Sequence, residues 1–65
     1  MSLYEVICGN IGKVYTGTDA RVAEDTYRTY KELAEMGVGR AAGEAVTMFQ
    51  DGSIVKEHAS TLNEN

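Results

Sequence analysis

Arg40 is the charged side chain within the tract Gly37-Val38-Gly39-Arg40-Ala41-Ala42-Gly43, where every neighbour is small. A guanidinium presents a fixed fork of donors that matches phosphate or carboxylate. Backbone N–H groups at Gly39 and Gly43 add the makings of an anion nest. The plainer alternative is a solvated loop arginine, or an ion pair with Glu44, and the residues alone leave both readings open. Asn10 and Tyr15, from an expected hairpin, offer polar and stacking contacts to the same kind of ligand. The candidate ligand-binding set is therefore Arg40, Gly39, Gly43, Asn10 and Tyr15. Tyr4, Tyr27 and Tyr30 could also stack on a planar ligand, although tyrosines at strand and helix spacing usually fill a core with the hydroxyl at its rim.

Other chemistry finds less support. The chain has one cysteine and one histidine, too few for an internal disulfide or a four-ligand zinc site built from those residues. Cys8 sits in a strand-like run beside Ile7, where a buried thiol acts as a small hydrophobe. His58 lacks the third orienting group that a nucleophile–base pair needs. No enzymatic activity, cofactor or metal is expected. Gly37-Val38-Gly39-Arg40-Ala41-Ala42 matches the spacing of a dinucleotide fingerprint, yet it follows a helix pattern and precedes a strand pattern. The pyrophosphate turn requires the reverse order, so that reading is rejected.

These residues must be positioned by five elements. Leu3–Cys8 is rich in β-branched and aromatic residues and reads as a strand, with Lys13–Thr16 as its return. Gly9-Asn10-Ile11-Gly12 connects them through a two-residue turn at Gly9-Asn10 or a turn centred on Asn10-Ile11. Either register groups Leu3, Glu5, Ile7, Val14 and Thr16 on one face. It leaves Tyr4, Val6, Cys8, Lys13 and Tyr15 on the other. Thr18 or Asp19 can cap a helix that runs to Met36, with Gly37 as a left-handed stop. Val22, Ala23, Tyr27, Tyr30, Leu33 and Ala34 fall within an arc of roughly 140° on that helix. The opposite arc is charged and offers the i,i+4 pairs Arg21–Asp25, Glu24–Arg28, Arg28–Glu32 and Lys31–Glu35. It reads as a solvated face without chemistry. Ala45–Gln50 and Ser53–His58 read as a second hairpin around Asp51-Gly52, with Val46, Met48 and Val55 on one face and Phe49 and Ile54 on the other.

The expected fold is α+β, in the order ββαββ: a four-stranded antiparallel sheet with one amphipathic helix packed on one face. Residues 1–58 form the single domain, and 59–65 a polar C-terminal tail expected to fray. The chain has 65 residues, and a domain of that size buries only about 60% of its unfolded surface. Without disulfides or a metal, the remaining support is oligomerisation. Both sheet faces carry large apolar side chains and one helix covers one face, so a homo-oligomer, most simply a two-fold dimer, is expected. Ten acidic residues against six basic ones leave a net charge of −4, the wrong sign for general nucleic-acid binding. No apolar run reaches the ~20 residues of a membrane span, and a cytoplasmic location is expected.

Tyr4-Glu5-Val6, Gly9-Asn10-Ile11-Gly12, Val14-Tyr15, Gly17, Gly39-Arg40-Ala41-Ala42-Gly43-Glu44, Val46-Thr47, Phe49 and Asp51-Gly52 together resemble small ββαββ proteins encoded by bacteriophages and prophages. The resemblance spans nearly the whole chain. It implies expression in a bacterial host cytoplasm and a role against a host pathway, such as an anti-defence protein that sequesters a nucleotide signal. Two functions follow as expectations. The first is a binding module for a small anionic, nucleotide-like ligand. The alternative is an inhibitor or acidic mimic that acts on a host protein through its charged surface. A structural virion component is a third.

Overall fold

Each of the expected elements forms, and for the local reasons their residues provide. The computed structural model describes residues 1–9, 11–37 and 43–59. The order is β1 (Tyr4–Cys8), β2 (Gly12–Gly17), α1 (Ala20–Met36), β3 (Val46–Gln50) and β4 (Ser53–His58). All strand pairs are antiparallel, and the spatial order is β2-β1-β3-β4. The helical crossover carries the chain from the β2 edge back over the sheet, so that β3 lands beside β1. Asp51 and Gly52 have φ of 53° and 86°, the paired positive values of a type I′ hairpin turn.

The first hairpin departs from both expected turns. Cys8 pairs with Gly12, leaving three residues between them, and the Ile11 N–H donates to the Cys8 carbonyl at 3.0 Å. Gly12 takes φ 101°, which its missing Cβ permits. This odd connection puts Lys13 opposite Ile7, and a bulge at Val14 then restores the register, so that Val6 faces Tyr15. Lys13 therefore lies with Glu5 and Ile7, not with Tyr4, Val6 and Cys8 as expected, and its Nζ meets Glu5 Oε2 at 3.0 Å. Val14 packs against the core instead of joining Ile7. A second bulge in the other hairpin pairs Met48 with Lys56 and leaves Val55 as the extra, exposed residue. Phe49 and Ile54 pair as expected. A bulge adds one residue and so reverses the alternation beyond it, which hydrophobic patterning cannot anticipate.

Val6, Cys8, Val46 and Met48 are fully or almost fully buried, and they alternate along the two central strands. They form one cluster with Ala23, Tyr27 and Ala34 of the helix, against which Tyr4, Val14, Tyr15, Tyr30 and Leu33 pack. Val22, at the margin of the predicted arc, remains 42% exposed. Asp19 is the N-cap: its Oδ1 accepts from Arg21 N–H at 3.0 Å and Val22 N–H at 3.2 Å. Gly37 closes the helix at φ 71°. Of the expected ion pairs on the charged arc, Lys31–Glu35 forms at 3.7 Å, whereas Arg28 turns to Asp25 one turn away. Among the described residues, no helix is long and apolar enough to cross a membrane.

Candidate functional site

Arg40, Gly39 and Asn10 lie outside the described residues. Gly43 and Tyr15 are described, and each is tied to an end of the helix. Gly43, at φ 71°, donates its N–H to the Ala34 carbonyl at 3.0 Å. The Tyr15 hydroxyl accepts from Asp19 N–H at 3.3 Å and donates to the Asp19 carbonyl at 3.4 Å. From Asp19 to Ala34 a helix rises about 22 Å, so Tyr15 and Gly43 cannot share a small ligand within one chain. By contrast, Gly9 N–H donates to the Ala45 carbonyl at 2.8 Å, which joins the turn of the first hairpin to the end of the glycine-rich segment. The Glu44 carboxylate lies over Gly9, 2.6 Å from where a Cβ would stand.

A different cluster forms beside the edge strand. Glu24, Tyr27, Arg28 and Lys31 occupy i, i+3, i+4 and i+7 of α1 and so line one stripe of it. With Lys56 of β4 they enclose an open groove of about 220 Å³. The second bulge helps to place Lys56 there, by setting it rather than Val55 opposite the buried Met48. Tyr27 is 8% exposed. Burial pushes its pKa up, and the carboxylates of Glu57 and Glu35 push in the same direction. The phenol thus holds its proton at neutral pH and is available as a donor. The lining therefore carries three basic groups and one carboxylate, Glu24, beside a phenolic donor. Arg28 and Lys31 have their acidic neighbours Asp25 and Glu35, and Lys56 is the basic group in it that has no acidic partner among the described residues.

Sequence reasoning missed this groove because Arg28 and Lys31 read as part of a solvated helix face. The only signal was Tyr27 inside the 24, 27, 28, 31 stripe, and nothing local says that Lys56 will stand across from it. The residues weighed for catalysis are placed elsewhere. Cys8 is fully buried in the core, and burial, then Glu44, push its thiol pKa up while a backbone hydrogen bond at Ile11 acts the other way. His58 pairs with Val46 at the end of β4 and is partly buried. Among the described residues no three His, Cys, Asp or Glu side chains gather where they could hold a metal. Fold and site together define a class: a small ββαββ domain with an open groove of mixed charge lined by one helix stripe and Lys56 of an edge strand. Compared with family models, curated proteins and solved structures, the chain matches none.

Proposed function

We propose that this protein is a non-enzymatic binding module which, as a homo-oligomer, takes a small anionic ligand. One observation carries the reading: in a chain of net charge −4, three of the six basic side chains converge, against the single carboxylate of Glu24, on the groove over Tyr27. At about 220 Å³ the groove is smaller than the roughly 300–1,000 Å³ of ordinary ligand pockets. It suits a phosphate-sized group or the anionic end of a larger ligand, such as a nucleotide. The resemblance to phage and prophage proteins supplies the setting, a bacterial cytoplasm in which sequestering a nucleotide signal would counter host defence. Arg40 and Gly39 of the glycine-rich segment, with Asn10 of the first hairpin turn, remain candidate further contacts.

Calorimetric titration with inorganic phosphate, pyrophosphate and a mononucleotide tests the proposal. Saturable binding is expected, weakened about tenfold, or ~1.4 kcal/mol, by Lys56→Ala. The melting temperature should barely change, because Lys56 is exposed. Loss on Arg40→Ala with Lys56→Ala unaffected would move the site to the loop. Absence of binding to all three probes would defeat the anion reading.

A further inference from the structure

The sheet face away from the helix carries an apolar band. Ile7 and Phe49 lie at its centre on β1 and β3, with Leu3 and Ile54 at its ends, 47% and 54% exposed. The observed register aligns this face into two rows that cross all four strands. One row reads Lys13, Ile7, Thr47, Glu57, and the next reads Thr16, Glu5, Phe49, Ile54. The first row is apolar or neutral in its middle and carries opposite charges at its two ends. It acquires that property only through the irregularities of the two hairpins, the first of which brings Lys13 and the second Glu57 onto this face.

We propose that two copies of the chain pack face to face through this surface, about a two-fold axis that runs along the strands between β1 and β3. Such an axis exchanges the sheet edges, so Lys13 lies over the partner's Glu57 and Glu57 over the partner's Lys13. By the same rotation Ile7 lies over the partner's Thr47 and Phe49 over the partner's Glu5, the two Ile7 side chains face each other across the axis, and the helices lie outermost. An axis across the strands would instead stack like edges on one another, leaving Lys13 over the partner's Thr16 and Glu57 over the partner's Ile54. Glu5 is drawn toward the β2 edge by its bond to Lys13, which leaves the centre to the apolar pair. Continuous pairing through β4 is a poorer route, because its bulge at Val55 disrupts the edge ladder. The footprint is four strands at about 4.8 Å by five residues at about 3.3 Å. That is small for an interface and fits a reversible dimer. This inference rests on the homo-oligomer half of the proposed function, and it adds the surface, the axis and the ion pair.

Sedimentation equilibrium combined with zero-length carbodiimide cross-linking of mixed isotope-labelled and unlabelled protein tests it. Lys13 and Glu57 lie on opposite edge strands, three strand spacings or about 14 Å apart, so a direct amide between them can form only between copies. Lys13–Glu5 is the within-chain control. The expected result is a concentration-dependent dimer that yields a mixed-label Lys13–Glu57 amide. Lys13→Glu should weaken it about tenfold, and the double variant Lys13→Glu, Glu57→Lys should restore it. An oligomer that lacks this amide and is indifferent to the charge swap would overturn the interface while leaving self-association intact. A monomer at high micromolar concentration would overturn both, and anion binding in the groove would then stand or fall on its own titration.

Discussion

Tyr15 holds the junction of β2 and α1 by bonding both backbone groups of Asp19, and Gly17 makes room for it. A Cβ at Gly17 would stand 2.6 Å from the Tyr15 hydroxyl oxygen. Tyr15→Phe should cost about 0.5–1.5 kcal/mol through the lost hydrogen bonds. Gly17→Ala should be destabilising, but less so in the Tyr15→Phe background, because part of the clash leaves with the hydroxyl. Chemical denaturation of the two single variants and the double variant would show that non-additivity. Additive losses would mean that the ring and the glycine act separately. Asp51 ties the second hairpin turn to the start of the chain. Its Oδ1 accepts from Leu3 N–H at 2.9 Å, and its own N–H donates to the Leu3 carbonyl at 2.8 Å. The Leu3 bond, then one from Ser2, lowers the carboxyl pKa from its ordinary 3.8. Since the folded value lies below the unfolded one, the contribution is present above about pH 4 and is lost as pH falls through the folded value. Asp51→Asn keeps an acceptor and tolerates positive φ, so its melting temperature should fall less steeply than that of the wild type below pH 4.

At the scale of elements, the helix approaches the sheet where its side chains are smallest. Ala23 is fully buried and Ala34 nearly so. Ala23→Leu should therefore overpack the contact and cost about 1–3 kcal/mol. Val22→Leu, on an exposed neighbour, should stay within about 0.5 kcal/mol. Similar thermal shifts for both would mean that the helix is rotated from the orientation described. The cap supplies a further check, since Asp19→Ala removes the acceptor for two N–H groups and should cost about 1 kcal/mol. The helix was legible before its packing because the cap, the apolar arc and Gly37 all agree. The hairpins were legible as elements, but their bulges were not, since an inserted residue leaves no mark in the alternation that precedes it.

Across the whole molecule, protection should follow the sheet order. Val6, Cys8, Val46 and Met48 anchor β1 and β3 at the centre, whereas β4 is exposed along nearly its whole length. Native-state amide exchange should be slowest in β1 and β3 and faster along β4. If the open face is covered by a second copy, raising the protein concentration should slow opening by mass action. Exchange rates that ignore concentration would speak against self-association.

Composition and spacing by themselves determined the element types, their order, the Asp51-Gly52 turn and the helix caps. Each of these depends on residues adjacent in the chain: positive φ tolerance, β-branching, or an oxygen within reach of the next N–H. They also marked Cys8 as buried and directed attention to Arg40. Tertiary structure decided what depends on long-range pairing. The bulge in the second hairpin turned Lys56 rather than Val55 to the side of Met48 and so brought it to the groove over Tyr27. An odd three-residue connection and its compensating bulge moved Lys13 to the face of Ile7. Neither of these is encoded locally, because register emerges only when the separate apolar faces compete to be buried together.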